Sequence, residues 1–361
     1  MPRPLCHSHN AKWARQASPL RSKHPPRVNF AEAIYHHFYL RRKRAAQSRR
    51  VVLNGARIIS VGNLTTGGTG KTPTVQWLAR RFEIAGISTA IVARGYGGEY
   101  SSRGAIVSDG KTVLLNATQA GDEAVLHARA LPSTPVIIGR DRVAAAKIAI
   151  GKFAPKVILL DDGFQFWSLA RDFDLVLLDA RKSFGNGKLL PIGRLREPKS
   201  ELKRAAGVLL TRADKASESQ LQSAESEIRQ FTNAPIFRSS HAPVFLREEK
   251  TGARIEFAEL NQKRVAVFSA LANNQDFFES IEARGASMVS TLARSDHHAW
   301  RENEIRNFAR EAQAKGAQVL ITTEKDAVKL NSDWSELPIW SSVIELKIEN
   351  ENDFWALIFE L

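Results

Sequence analysis

Between Ala56 and Ala242 the chain alternates short, continuous apolar runs with segments whose apolar residues recur at helical spacing. The runs Arg57–Val61, Thr89–Ala93, Val136–Ile138, Val157–Leu160, Leu175–Leu178 and Val208–Leu210 are rich in Val, Ile and Leu. Such unbroken runs predict strands covered on both faces by helices, hence a parallel sheet. Thr72–Ala85, Glu123–Ala130 and Arg142–Ile150 have the 3.6-residue period between them, so the order predicts βαβ units. Residues 244–257 predict two extended runs around the Thr251-Gly252 turn. A second alternation follows, with strands at Val265–Ser269, Met288–Thr291, Val319–Thr322 and Val343–Leu346. Its helices are predicted near Gln275–Ala283, Glu302–Lys315 and Asp353–Leu361. The fold class expected is therefore α/β: a doubly wound α/β/α domain followed by a smaller α/β/α subdomain, joined around residue 245.

Residues 29–50 follow another pattern. Phe30, Ile34, Tyr35, Phe38 and Tyr39 fall on one helical face, and Arg41-Arg42-Lys43-Arg44 follows directly. An aromatic-bearing stripe beside a polybasic run suits a helix lying on an anionic membrane. It equally suits a helix packed on the domain behind it with a solvated basic end.

The 361 residues suffice for two domains, and 43% hydrophobic with 25% charged residues is ordinary globular usage, which excludes a disordered or fibrous chain. The single cysteine, Cys6, excludes an intramolecular disulfide framework or a multi-cysteine zinc site. No apolar run reaches spanning length, and no secretory h-region opens the chain. The net charge of +14 is unevenly placed. Residues 1–50 hold twelve Lys/Arg against one acid, Glu32, which leaves +3 for residues 51–361. The basicity lies in a Pro/Ser/Arg/Lys-rich extension over 1–28 and in the helix after it, while the body is nearly neutral. A nucleic-acid partner is therefore not expected, because such domains carry their basic face on the folded part.

Chemistry concentrates first at Gly67-Gly68-Thr69-Gly70-Lys71-Thr72, between the strand RIISVGN and a helix. Glycines let backbone N–H groups wrap phosphate oxygens. The lysine meets the outer phosphates, the Thr72 hydroxyl suits Mg²⁺, and the helix N-terminus faces the charge. Thr65 stands where the strict phosphate-loop pattern has its first glycine. Asp161 and Asp162, after the apolar Val157–Leu160, are the candidate metal carboxylates. No Asn-Lys-x-Asp guanine signature appears, so ATP is the expected nucleotide. Asp122 in Gly121-Asp122-Glu123 taken alone reads as a helix N-cap. Arg94, in a Gly-rich loop after a strand, lies where α/β sheets bind ligands. Asp296-His297-His298 offers a carboxylate beside two imidazoles, able to tune a base but too few for zinc.

Together SVGNLTTGGTGKTP, ARGYGG, GDE, GRDR, LLDDGFQ, RDFDLVLLDA, FGNGKLLPIGRLREP, DHH and TTEKDAVKL resemble the tetraacyldisaccharide 4′-kinase (lipid A 4′-kinase) family over about residues 29–350. The resemblance implies ATP- and Mg²⁺-dependent phosphorylation of the 4′-hydroxyl of an acylated glucosamine disaccharide 1-phosphate, giving lipid IVA. The reaction would occur at the cytoplasmic face of the bacterial inner membrane, with a peripheral chain docked on the anionic surface through residues 29–50. It implies a P-loop kinase domain over 51–243, a two-stranded linker over 244–262 and a C-terminal subdomain over 263–361. Residue by residue, Thr65 and Gly67 to Thr72 match the ATP loop. Thr72, Asp161, Asp162 and Glu197 match the metal site, and Asp122 matches the catalytic aspartate, with His297 its partner and Asp296 in support. Arg94 and Asn63 would line the substrate side. Phe166 stands where the family usually has histidine, Ala124 where it has proline, and the extension over 1–28 exceeds the family's need. The alternative reading is a P-loop regulatory NTPase acting on a protein partner, which would hydrolyse slowly and need no lipid acceptor.

Overall fold

A computed structural model describes residues 30–261 and 263–359; the basic extension expected over 1–28 lies outside the described residues. Thirteen strands follow the chain as β1 (Arg57–Asn63), β2 (Thr89–Ala93), β3 (Ala105–Asp109), β4 (Pro135–Ile138), β5 (Val157–Asp161), β6 (Phe173–Asp179) and β7 (Gly207–Thr211). They continue as β8 (Ile236–Glu248), β9 (Arg254–Ile255), β10 (Arg264–Ala270), β11 (Ser287–Arg294), β12 (Val319–Thr323) and β13 (Ile339–Ile348). They form one sheet in the order β11-β10-β12-β13-β8-β7-β6-β1-β5-β2-β4-β3, with β9 paired to β8.

All the predicted apolar runs are strands, and in the first half their parallel pairing matches their unbroken burial: Ile59, Val61, Ile91, Leu159, Leu177 and Leu209 are buried in its core. β1 lies between β5 and β6, so the loops leaving β1 and β5 open side by side. The hairpin expected at Thr251-Gly252 forms, pairing Leu246 with Ile255 and Arg247 with Arg254.

Among the elements that the sequence pattern does not predict, three shape the sheet and its cover. β3 is a short antiparallel edge strand. The helix Glu218–Arg229 buries only Leu221, Ala224 and Ile228, and starts from a capping box between Ser217 and Gln220. Its apolar stripe is too thin to stand out. β8 begins at Ile236 and runs thirteen residues through Arg, Ser, His and Pro. Its first residues pair in parallel with β7, and residues 239–248 pair antiparallel with β13. One strand is thus shared by the two α/β runs. The ladder is irregular between Val343 and Ile344, opposite Pro243, where a missing N–H is tolerated. The helix Glu351–Phe359, expected in the second run, packs Phe354 and Trp355 against Trp77 and Phe82 of the first.

The helix Phe30–Gln47 resolves its two readings by splitting the stripe. Tyr39 is buried edge-on to Trp167, and the Tyr35 hydroxyl donates to the Arg196 carbonyl at 2.9 Å. Phe30, Ile34 and Phe38 face outward, with Phe30 80% exposed. Among the described residues no helix is long and apolar enough to cross a membrane.

Candidate functional site

The phosphate loop is built as its residue types require. Gly70 adopts φ 82° and caps the helix Lys71–Ile84, whose first amides face the loop. The His241 ring lies directly against Gly70, so a side chain there would have no room. Asn63, expected on the substrate side, is instead fully buried beneath the loop. Its amide donates to Thr69 Oγ1 at 2.8 Å, and its carbonyl side-chain oxygen accepts from Arg196. The structure therefore places Asn63 as a brace for the loop. Thr65 bridges Leu195, and Thr66 N donates to the Arg194 carbonyl at 2.8 Å, so residues 194–196 form one wall.

The two aspartates after β5 diverge. Asp162, at φ 54°, receives both Arg196 guanidinium nitrogens at 2.9 Å and lies 3.5 Å from Lys71 Nζ. Burial would raise its carboxyl, but Lys71 and Arg196 outweigh burial and hold it well below the usual carboxylate range. Asp161 is buried beside His127 Nε2 at 3.1 Å, and its second oxygen, Oδ1, has no protein partner. Glu197, matched to the metal site in the sequence, is not brought to it. Its fully buried carboxylate pairs with Arg204, beneath the helix Phe30–Gln47, and burial pushes it up to about 7. Two arginines of that segment reach the phosphate loop instead, Arg196 at Asn63 and Arg194 against Gly67.

Asp122, His297 and Asp296 come together. Asp122 opens the helix Asp122–Ala130, but it is not the N-cap; that position is Gly121, at φ 85°. Asp122 Oδ1 accepts from the Glu123 amide at 2.9 Å, and Oδ2 lies 3.0 Å from His297 Nδ1. Burial alone would raise Asp122, yet the His297 hydrogen bond and the charges of Lys325, His297 and Lys329 hold it below its usual value. The same bond raises His297, against burial and Lys325. His298 turns away to Glu304 at 2.8 Å, which leaves His297 as the imidazole of the pair that faces Asp122. Tyr96 packs at a tilt against His297 at 5.4 Å, and Arg94 lies over Tyr96 at 5.8 Å, so Arg94 belongs to the same cluster.

Glu123 ties the two clusters electrically. Burial raises it, Asp161 adds to that, and Lys71 and Lys325 oppose it. Its surroundings therefore include both the phosphate loop and the Asp122 cluster.

Sequence reasoning missed Lys325, Arg196, Arg142, His127 and His241. Lys325 and Arg142 lay inside quoted motifs, TTEKD and GRDR, without an assigned role. Arg142 lies over Phe166 at 5.2 Å, so the phenyl ring supports a guanidinium. Burial lowers Arg142 to about 10. His241, lowered to about 4 chiefly by burial, is a neutral imidazole at the loop. Nothing in its local sequence distinguishes it.

Chemically, the arrangement pairs a triphosphate cradle with an ionised, imidazole-held carboxylate across a cleft. The family described as LpxK, tetraacyldisaccharide-1-P 4′-kinase, matches residues 28–361. A tetraacyldisaccharide 4′-kinase from Syntrophus aciditrophicus is 36% identical over 313 residues, 84% of each chain. Another from Anaeromyxobacter dehalogenans is 41% identical over 277 residues, covering 77% of this chain and 73% of its own. The crystal structure of the "apo" form of LpxK from Aquifex aeolicus in complex with ATP superposes with a TM-score of 0.73 at 28% identity, over 91% of this chain and 96% of that one.

Proposed function

The chain belongs to the tetraacyldisaccharide-1-P 4′-kinase family, and from that premise we propose how its own residues divide the work. It is a lipid A 4′-kinase that phosphorylates the 4′-hydroxyl of tetraacyldisaccharide 1-phosphate, with ATP as donor. Family membership sets aside the partner-controlled NTPase.

In the transfer, the 4′-oxygen bonds to Pγ as the bond from Pγ to the β–γ bridging oxygen breaks, leaving ADP, and the hydroxyl proton passes to Asp122. Such transfers need charge neutralisation and in-line positioning more than covalent help. The loop amides and Lys71 take the triphosphate. Arg196 keeps Asp162 ionised and fixed beside Lys71. Asp122 accepts the proton while His297 holds it, and Arg94 with Tyr96 lines the acceptor side. The carrying observation is the 3.0 Å bond between Asp122 Oδ2 and His297 Nδ1, which joins residues 175 positions apart at the cleft.

Mg²⁺ fits the donor set. Among the described residues no cluster of three His, Cys, Asp or Glu side chains could cage a metal alone. Magnesium instead takes one or two carboxylates and completes its shell from phosphates and water. Thr72 and the unpartnered Asp161 Oδ1 would hold it. When bound it neutralises charge on the phosphate oxygens. The exposed Phe30, Ile34 and Phe38, followed by Arg41, Arg42 and Arg44, suit docking on an anionic surface. Both features support the reading of a peripheral enzyme at the cytoplasmic face of the bacterial inner membrane, where an acylated acceptor would lie.

The test is transfer of labelled γ-phosphate to a tetraacyldisaccharide 1-phosphate in mixed micelles. Lys71→Ala should abolish labelling, and Asp122→Ala should lower kcat by about 10²–10⁴-fold with little change in KM for ATP. ATP binding lost in parallel with kcat in Asp122→Ala would make that residue structural.

A further inference from the structure

Four cations border the phosphate loop, and three of them are committed to carboxylates. Lys71 Nζ lies 3.5 Å from Asp162, which also takes Arg196 at 2.9 Å. Arg212 comes within 4.0 Å of where a Gly68 Cβ would stand, and pairs with Asp179 at 2.7 Å. Arg194 is the fourth. It is exposed, and its side chain makes no hydrogen bond or ion pair among the described residues. Its guanidinium nonetheless stands directly over Gly67: a Cβ there would lie 2.6 Å from Nη2 and 3.7 Å from Cζ. Gly67 has φ 109°, so both its conformation and the approach of Arg194 call for glycine.

The backbone that carries Arg194 is tied to the loop itself. Thr66 N donates to the Arg194 carbonyl at 2.8 Å, Arg196 N donates to the Leu64 carbonyl at 2.7 Å, and Thr65 bridges Leu195 in antiparallel sense. Residues 194–196 therefore run alongside the residues that lead into the loop. The helix Phe30–Gln47 holds the same segment from behind. Glu32 accepts from the Leu189 amide at 2.8 Å, and Tyr35 donates to the Arg196 carbonyl at 2.9 Å. The Arg194 stem is directed as well, because it passes along Gly185, where a Cβ would meet its Cβ at 3.7 Å and its Cδ at 3.8 Å. Main chain and stem are thus placed by the fold, and the guanidinium at the tip is left without a protein acceptor.

A guanidinium stays charged at any working pH and presents a planar fork of N–H donors that matches two phosphate oxygens at once. Beside Lys71, Arg212 and a loop of inward amides, such a charge is repelled until an anion arrives. We propose that Arg194 is a catalytic residue of the transfer, an arginine supplied by the chain itself that donates to the oxygens of the γ-phosphoryl group as it moves to the acceptor. The inference rests on the reading of the protein as a phosphoryl-transfer enzyme and deepens it. As the 4′-oxygen bonds to Pγ and the bond to the β–γ bridging oxygen breaks, Arg194 keeps all its protons and only donates hydrogen bonds. A contact raises kcat only if it is stronger in the transition state than in the bound substrate. Lys71 and Arg196 are held by Asp162 throughout, whereas the Arg194 tip has no carboxylate to leave and is free to follow the charge. An arginine in this role accelerates nucleotide hydrolysis by about 10³–10⁵-fold where it has been removed and restored.

The test is Arg194→Met in the full chain, which keeps the length of the stem and removes the charge. The side chain is exposed, so the variant should melt with the wild type. In micellar phosphate transfer its kcat should fall about 10²–10³-fold, the scale of one lost donor to a developing charge. Its affinity for an ATP analogue should stay within about threefold of wild type, as expected when a contact is made mainly in the transition state. Arg194→Lys keeps the charge without the fork, and its kcat should fall between the two. A second readout needs no turnover: binding of ADP with aluminium fluoride, a mimic of the transferring phosphoryl group, in micelles that hold the acceptor. Arg194→Met should weaken that complex about tenfold or more while ADP alone binds as in the wild type. A kcat within about twofold of wild type would overturn the proposal, and so would a loss of ATP-analogue affinity that accounts for the whole effect. Failure of the kinase reading itself would appear differently, as a wild-type protein that labels no tetraacyldisaccharide 1-phosphate.

Discussion

Gly121→Ala offers a sharp test of how the Asp122 carboxylate is placed, because it adds one methyl group without touching a charge. Gly121 adopts φ 85° and ψ 151°, a region open in practice only to glycine, where a side chain costs of order 1–3 kcal/mol. The added Cβ would also fall well inside 3.0 Å of the Tyr96 carbonyl oxygen and 3.1 Å from the Gly95 carbonyl carbon. These are backbone atoms, so no flexible side chain can swing away. Restoring ordinary contact requires the start of the Asp122 helix and the Arg94–Gly98 loop to part by roughly 1 Å, a displacement that can cost about 10²-fold in rate. Overpacking adds roughly 1–3 kcal/mol, for a total destabilisation of about 2–6 kcal/mol. The phosphate loop lies on other elements and should keep its affinity. The assay is micellar phosphate transfer alongside a fluorescent ATP-analogue titration and a thermal melt. The expected result is kcat lowered about 100-fold, analogue affinity within about threefold of wild type, and a lower Tm. A kcat within twofold of wild type with an unchanged Tm would refute the placement of Asp122 against the Tyr96 loop.

Three further outcomes follow from the geometry. Arg196→Ala removes both 2.9 Å bonds to Asp162 and leaves Lys71 as its nearest cation, so the lysine is drawn from the nucleotide; a titration should show ATP affinity reduced about tenfold or more. Glu197 has a folded pKa of about 7 against 4.5, so its ionisation costs stability as pH rises through that window, by at most roughly 3 kcal/mol; in Glu197→Gln the fall in denaturant midpoint between pH 4.5 and 7 should flatten, and an unchanged slope would count against the buried neutral acid. Phe30→Asp with Phe38→Asp should cut co-sedimentation with anionic vesicles on the order of tenfold, while ATP-analogue affinity stays at the wild-type level.

How far the sequence reaches depends on whether a feature is made by neighbours in the chain. The phosphate loop was legible because glycines, Lys71 and Thr72 act through consecutive backbone amides and one helix start. The buried parallel strands were legible for the same reason, as runs of Val, Ile and Leu. β8 was not, since its polar residues are acceptable only because β7 pairs with one end and β13 with the other. Glu197 shows the limit most clearly: it adjoins Arg196 in sequence, yet their side chains serve opposite faces of one segment, Arg196 toward Asp162 and Glu197 toward Arg204.

Residue identity alone determined the nucleotide chemistry and the α/β class, and the family resemblance supplied the expectation that Asp122 meets the Asp296-His297-His298 turn. Only the tertiary structure decided that His297 rather than His298 faces Asp122, that Lys325 caps the far edge of that ring, and that Asn63 braces the loop from below. The reason is physical. A hydrogen bond between residues 175 positions apart exists only once the strand order has brought the turn after β11 to the helix that begins at Asp122, and no local preference of either segment encodes that meeting.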